Sequence, residues 1–354
     1  SRRKMSLRKL YPIILAAAVL VSAASCKKDK TTESLPSLSG MLTFDIPAFI
    51  NPNDVLIMKP KGVKHPDGKG IGYYWKVSPG MSKADTTRLE NGYDKYGNVS
   101  DGSFRYHFPD SIGTYTVSCY GFASGYNSTY ASSFTTVVKG GLNGSITGTG
   151  INAYDRKISA ENTDYYYTSR NGLDWFRNNL ANPFYGASYT NSPAMLEVFG
   201  NFYSYEEALT ACPEGWRLPT DAEWTDLANS LNPEAEAVAG EPAEGVAAAL
   251  MADVHFNTTQ MWEYWPTVGE ITNESRLSFI PAGYSNLGER SEDGKYPTAS
   301  FVGVYEYAVF WTADKVEGED MAYYRYIICD QPDLQIGKGD IRTFGANVRC
   351  VREN

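Results

Sequence analysis

The sequence has little of the chemistry on which most enzyme active sites are built. It contains only three histidines in 354 residues, His65, His107 and His255. The patterns His-Glu-x-x-His, Gly-x-Ser-x-Gly and Cys-x-x-Cys are all absent. A hydrolase triad or a zinc site built on histidine is therefore not expected, and no metal ion or other cofactor is predicted.

Two carboxylate pairs could in principle act as acid and base. Glu206 precedes Glu207, and Asp221 lies two residues before Glu223. Both pairs lie where helices are expected to begin, and acidic residues at such positions usually cap the helix or face solvent. The sequence therefore favours a protein that is not an enzyme.

The charge balance excludes another class of function. The chain has 41 acidic and 32 basic residues, a net charge of −9. Loss of residues 1–25 would remove five basic residues and no acidic ones, which leaves 27 against 41 and a net charge of −14. Such a chain is poorly suited to neutralising phosphates, so nucleic acid is not an expected partner.

The N-terminal segment resembles a bacterial lipoprotein signal. Basic residues precede an apolar run from Leu10 to Ala24, and small residues lead into Cys26. The run is shorter than the roughly 20 residues of a membrane-spanning helix, so residues 1–25 are predicted to be a signal peptide. Cys26 is predicted to carry the lipid, and an ordinary secretory signal is the alternative. Residues 26–38 would form a polar tether.

Short alternating runs between residues 39 and 138 predict an all-β sandwich. Trp75 would occupy the position of a core tryptophan, and the stretch from Asp110 to Tyr115 resembles the tyrosine corner of immunoglobulin-like folds. The late strand of this region resembles the corresponding strand of PKD modules more closely than that of immunoglobulin domains. Cys119 has no partner within this region and is predicted to be a buried thiol. We interpret the region as a PKD/Ig-like spacer.

Glycines are dense between Gly140 and Gly150. This composition predicts a linker over residues 139–159. A phosphate-binding loop would need Gly-Lys-Ser/Thr and a following helix, and the sequence has no Gly-Lys-Ser/Thr here.

The most informative stretch runs from Ala211 to Leu227 and reads Ala-Cys-Pro-Glu-Gly-Trp-Arg-Leu-Pro-Thr-Asp-Ala-Glu-Trp-Thr-Asp-Leu. Thr220 and Glu223 have the spacing of a capping box, which predicts a helix that begins after Thr220. A segment of helical character precedes the stretch. Further motifs follow at residues 279–284, 310–314, 322–327 and 347–353.

Together these motifs resemble the Fibrobacter succinogenes major paralogous domain over residues 160–354. The resemblance implies an α+β fold similar to C-type lectins and formylglycine-generating enzymes, but it does not identify a ligand. The closely spaced copper-binding cysteines of those enzymes are missing, since Cys329 and Cys350 lie 21 residues apart. The Glu-Pro-Asn and Trp-Asn-Asp motifs of calcium-dependent sugar binding are missing too.

The resemblance places a variable long loop region before Phe310. Aromatic side chains with polar tips are abundant there, and such side chains stack on sugar rings or anchor protein interfaces. The residues predicted to bind a ligand are Tyr264, Trp265, Arg290, Tyr305 and Tyr307. Tyr284, Trp311 and Tyr324 are assigned to the core instead.

The resemblance also implies a disulfide. Cys212 corresponds to the first cysteine of C-type-lectin-like domains and Cys350 to the fourth, and an exported domain meets an oxidising compartment. The alternatives are a Cys329–Cys350 bridge or unpaired thiols.

The sequence therefore predicts a multidomain protein, an all-β sandwich followed by an α+β lectin-like domain. It resembles outer-membrane lipoproteins of Bacteroidetes, held by a lipid on the cell surface or the periplasmic face. Its expected function is to bind a glycan or a surface protein in adhesion or nutrient capture. A structural or tip subunit of a surface assembly is the alternative, followed by an enzyme.

Overall fold

A computed structural model describes residues 34–80, 101–262 and 269–354, with the backbone of residues 87–89. The predicted signal peptide, Cys26 and most of the tether lie outside the described residues, as do Tyr264 and Trp265. The chain divides into two compact units. The first contains residues 52–137 with the chain before residue 49, and the second contains residues 49–51 and 138–354.

Strands dominate both units. In chain order the strands up to residue 137 are β1 (Ser39–Thr43), β2 (Phe49–Ile50), β3 (Val55–Met58), β4 (Lys61–Lys64), β5 (Gly72–Ser78), β6 (Thr87–Leu89), β7 (Phe104–His107), β8 (Gly113–Phe122) and β9 (Thr129–Val137). All of these except β2 belong to the first unit. Strands β9, β8, β5 and β6 lie side by side in antiparallel order, and β1–β4 and β3–β7 form two further antiparallel pairs.

The core of the first unit follows from the alternation in β8. Tyr115, Val117 and Cys119 point to the buried face, and the residues between them are partly accessible. Trp75 on β5 is fully buried, and its indole N–H donates to the Gly102 carbonyl over 2.9 Å. The Tyr115 hydroxyl donates to the Ser111 carbonyl over 3.0 Å. Burial raises the pKa of the Cys119 thiol, as expected for a cysteine that packs as a small apolar side chain.

The second unit mixes many short strands with four α-helices among the described residues. Its later strands are β10 (Ile146–Thr147), β11 (Lys157–Ala160), β12 (Thr163–Arg170), β13 (Leu173–Phe176), β14 (Ala187–Ser188), β15 (Asn201–Phe202), β16 (His255–Phe256), β17 (Thr259–Gln260), β18 (Tyr284–Asn286), β19 (Ser300–Val302), β20 (Tyr307–Lys315), β21 (Met321–Ile328), β22 (Gln335–Asp340), β23 (Phe344–Gly345) and β24 (Val351–Glu353). The helices are α1 (Leu196–Phe199), α2 (Tyr205–Ala211), α3 (Asp221–Leu231) and α4 (Ala247–Leu250). None of the described helices has the length and apolar content needed to cross a bilayer.

Two sheets organise the second unit. One has the strand order β11-β12-β13-β24 and the other β20-β21-β22. Strand β20 separates two hydrophobic clusters. Ala308 and Phe310 face the larger cluster, whereas Val309 and Trp311 face the smaller one. Because its side chains alternate in this way, β20 is buried on both faces.

Two capping boxes begin the main helices. At α3 the Thr220 side chain accepts from the Glu223 N–H, and the Glu223 carboxylate accepts from the Thr220 N–H, as the sequence predicts. At α2, Ser204 and Glu207 make the same reciprocal contacts. Each box satisfies N–H groups that the helix itself leaves without partners.

The glycine-rich segment predicted as a linker is part of the second unit. Its strand β10 pairs with β16, so that Ile146 lies opposite Phe256. Glycine is required here by close backbone packing: Gly148 has φ +87°, and a β-carbon on it would collide with the Asp253 carbonyl. Gly140, Gly144 and Gly148 are thus in tight backbone packing, where a larger residue would clash.

Candidate functional site

The structure separates the residues predicted to bind a ligand. Arg290 is exposed, and its Nε donates to the Gly294 carbonyl over 3.4 Å. Tyr305 is half-buried against the larger hydrophobic cluster, and burial raises the pKa of its hydroxyl. Tyr307 is half-buried against the smaller cluster. Tyr305 and Tyr307 thus pack on different cores and do not form one surface.

Tyr307 instead belongs to a group of half-buried rings that we call the tyrosine cluster, formed by Tyr284, Tyr307, Tyr324, Tyr326 and Phe344. The centroid of Tyr307 lies 6.0 Å from that of Tyr284 and 6.1 Å from that of Tyr326. Phe344 stacks on Tyr324 at 4.6 Å with an interplanar angle of 10°. The cluster therefore forms one continuous group of rings.

The strand periodicity explains how these rings meet. Tyr324 and Tyr326 are two residues apart on β21, so they point to the same face of the sheet. Strand β22 runs beside them with Gly337 opposite Tyr324 and Gly339 opposite Ala322. A β-carbon on Gly337 would collide with the Tyr324 ring, and one on Gly339 would lie 2.6 Å from the Phe344 ring. The two glycines leave the space that these rings occupy.

The hydroxyls of Tyr307 and Tyr324 interact electrostatically with their neighbours in the cluster. Burial, and then the neighbouring Tyr326, Tyr284 and Tyr307, raise the pKa of the Tyr324 hydroxyl. Burial raises the pKa of Tyr307 as well, and Glu306 and the neighbouring tyrosines add to the effect. The Tyr307 and Tyr324 hydroxyls consequently remain protonated at neutral pH. None of the four tyrosine hydroxyls makes a hydrogen bond to another residue that the structure describes.

This arrangement has the chemistry of a site for a neutral polar ligand. The rings supply apolar area, and the hydroxyls supply donors and acceptors beside it. The sequence places Tyr284 and Tyr324 in the predicted core and does not point to Tyr326 or Phe344 individually. The alternation of Tyr324 and Tyr326 together with the Gly-x-Gly of β22 is the signal that points to them.

A concave surface lies beside Arg290, away from the tyrosine cluster. The loop from Ser291 to Pro297 forms one wall of a wide groove, and residues between Pro183 and Asn201 form the other. Phe184 lies on its rim with 68% of its surface exposed. The groove is open and holds mostly small and polar side chains, so it offers fewer ring surfaces than the tyrosine cluster.

Three of the four carboxylates considered from the sequence make contacts that hold the fold together, whereas Glu206 is exposed and lies 3.7 Å from Arg342 Nε. Glu207 accepts hydrogen bonds from the Ser204 N–H, the Gly186 N–H and the Tyr296 hydroxyl.

Asp221 is buried, and its carboxylate binds the guanidinium of Arg325 through Nε at 2.6 Å and Nη2 at 3.0 Å. Glu223 binds Arg217 at 2.6 Å. Among the described residues no three His, Cys, Asp or Glu side chains form a group that could hold a metal ion.

Cys212 and Cys350 form a disulfide, the pair that the resemblance implied. Their Cα atoms lie 5.9 Å apart, and the bridge closes a sequence separation of 138 residues. Cys350 directly precedes β24, which pairs with β13, and its carbonyl accepts from the Phe176 N–H. The bridge thus fixes α2 to the sheet that contains the last strand of the chain.

The second unit is therefore a β-rich domain closed by a disulfide, with a cluster of tyrosines on one face of its central sheet. The family model described as the Fibrobacter succinogenes major domain matches residues 160–352, more than half of the chain. The chain belongs to this family. No curated protein matches the chain. The unit begins at residue 138 and so includes the glycine-rich segment that precedes the family match.

Proposed function

We propose that this protein is a lipid-anchored protein of the bacterial cell envelope whose second unit binds a glycan through the tyrosine cluster. The observation that supports the proposal best is the grouping of four tyrosine hydroxyls on contiguous, half-buried rings. Sugars present both hydroxyl groups and apolar C–H faces, and tyrosine can meet both. The protein would act in adhesion or nutrient capture and would not be an enzyme.

The proposed architecture is a spacer followed by a binding domain. A PKD/Ig-like fold for the first unit is supported by the buried Trp75 and by the hydrogen bond from Tyr115 to the backbone four residues upstream. A C-type-lectin-like fold for the second unit is supported by the Cys212–Cys350 bridge. The lipid on Cys26 would attach the spacer to the outer membrane, on the cell surface or its periplasmic face.

A glycan array probed with the mature protein tests the proposal. We expect a restricted set of glycans to bind, and Tyr326→Ala or Tyr307→Ala to weaken that binding. Removal of a ring at the centre of an interface typically costs about 2 kcal/mol or more, which is roughly a thirtyfold loss of affinity. Tyr307→Phe keeps the ring and separates the contribution of the hydroxyl from that of the stacking surface.

Tyr154→Ala is the matched control because Tyr154 is 98% exposed and belongs to the same unit. It removes one tyrosine without touching the cluster. Equal binding by the wild type and both cluster variants, at unchanged thermal stability, would exclude the cluster as the binding surface. An array without any bound glycan would exclude the function itself.

A further inference from the structure

A cavity of about 220 Å³ lies within the second unit, between the glycine-rich segment and the family domain. Residues 139–151 form one wall. The rest of the lining includes Arg177 and Arg349. We call it the glycine-lined cavity.

Arg349 is a buried cation without a carboxylate partner among the described residues. It is 1% exposed, and its guanidinium donates only to neutral oxygens. These are Asn179 Oδ1 at 2.7 Å and the carbonyls of Phe176 at 3.1 Å, Leu277 at 2.5 Å and Ser278 at 3.3 Å. Hydrogen bonds to carbonyls orient the guanidinium, and the ring faces of Phe279 and Phe310 lie 5.1 and 5.3 Å from it, but no carboxylate among the described residues neutralises its charge.

Arg177 brings a second buried guanidinium to the same cavity. It is 2% exposed, with Nε donating to the Arg276 carbonyl at 2.7 Å and Nη1 bound to Asp155 at 2.9 Å. Within the described ranges its Nη2 makes no hydrogen bond. Arg276 shares the same carboxylate at 3.2 Å. Asp155 is therefore the one carboxylate among the described residues that pairs with any of the three guanidinium groups of Arg177, Arg276 and Arg349.

The charged form of each buried arginine is destabilised, and Arg177 contributes to the effect on Arg349. Burial, and then repulsion from Arg177, lower the pKa of Arg349 to about 9. Burial lowers the pKa of Arg177 too, with Asp155 opposing the shift and Arg276 adding to it. An anion between them would offset both the desolvation and the repulsion.

The other charged side chains around the cavity also favour the binding of such an anion. Lys139 lines the mouth, is exposed, and has no ion-pair partner in the part of the chain that the structure describes. Of the two carboxylates in the lining, Asp164 binds Lys157 at 2.6 Å, and Glu197 accepts from the Thr163 hydroxyl at 2.9 Å without an ion-pair partner among the described residues. The three cations Lys139, Arg177 and Arg349 still outnumber the carboxylates of the lining.

We propose that the glycine-lined cavity binds an oxyanion, the carboxylate or sulfate group of a small acidic molecule, with Arg177 Nη2 and Lys139 as its direct contacts. Arg349 would attract the anion through its positive charge, without a direct hydrogen bond to it. Oxyanions match the planar N–H geometry of guanidinium, and charge-assisted bonds are strong where water is excluded. This site is separate from the tyrosine cluster and does not rest on it.

Calorimetric titration of the mature protein tests the proposal with sodium sulfate, sodium glucuronate and neutral glucose at constant ionic strength. We expect saturable binding of at least one anion below about 10 mM and none of glucose. Binding of both anions identifies the shared oxyanion chemistry. Binding of sulfate alone assigns the cavity to inorganic anions, and binding of glucuronate alone assigns it to acidic sugars.

Lys139→Glu provides the decisive variant, because Lys139 makes no ion pair with another described residue and its replacement should not disturb folding. It should weaken anion binding at least about tenfold, the effect of losing one charged contact. Lys315→Glu changes the net charge equally at an exposed position of the same unit that does not line the cavity. An equal loss in both variants, or no saturable anion binding by the wild type, would overturn the proposal.

Discussion

Removal of the Cys212–Cys350 disulfide should strongly destabilise the second unit. The bridge closes 138 residues, and the chain-entropy relation gives about 5 kcal/mol at 25 °C for a loop of that length. For a domain of this size each kcal/mol shifts the melting temperature by about 2–4 °C. The double variant Cys212→Ala/Cys350→Ala should therefore melt about 10–20 °C below the wild type.

Differential scanning calorimetry with and without reductant measures this effect. The wild type should lose stability on reduction, and the double variant should not respond to reductant at all. Cys329→Ala is the control, since Cys329 is buried in the same unit and lies outside the bridge. It should retain the response of the wild type to reductant.

Peptide mapping under non-reducing conditions checks the pairing itself. A Cys329–Cys350 peptide or an alkylated Cys212 would refute it. A double variant that melts within about 2 °C of the wild type would refute the energetic argument, because the unfolded chain would then gain little freedom from cutting the loop.

Three further predictions concern other parts of the chain. Arg325→Met leaves Asp221 buried without its partner and should lower the free energy of denaturant unfolding by about 3–5 kcal/mol. Adding Asp221→Leu should restore much of the loss. A double variant whose loss equals the sum of the two single losses would contradict this prediction. Burial raises the pKa of Tyr165 to about 12. Its contribution to the free energy of unfolding is therefore complete below pH 10 and declines by about 1.4 kcal/mol per pH unit from pH 10 to 12. Denaturant unfolding at pH 9, 10 and 11 should show this decline in the wild type and a shallower slope in Tyr165→Phe. Intact-mass analysis of the membrane fraction should show a diacylglyceryl group on Cys26, and a Cys26→Ser variant should leave the membrane; a soluble mature form unaffected by that change would exclude the anchor.

The features that the sequence predicts well are local. The capping box of Thr220 and Glu223 depends on residues three apart, and the alternation of β8 depends on residues two apart. Both patterns are set by backbone geometry that does not depend on the rest of the fold.

The features that the sequence misses depend on distant partners. Ile146 pairs with Phe256 across 110 residues, so the glycine-rich segment could not be distinguished from a linker. Asp221 pairs with Arg325, which lies 104 residues further along the chain. Because of this pairing, a carboxylate that the sequence places at a helix start is buried. Tyr305 and Tyr307 are only two residues apart, but Tyr305 precedes β20 with a left-handed φ of +72°, so the two rings pack on different clusters.

The pairing of β13 with β24 brings the first strands of the family domain beside its last one. Leu173 lies opposite Glu353, and β24 forms one edge of the sheet whose other edge is β11. Strands from both ends of the family domain thus make one sheet, and loss of β24 would leave β13 as an unpaired edge strand. Loss of residues 351–353 should therefore expose backbone groups that can pair with another chain.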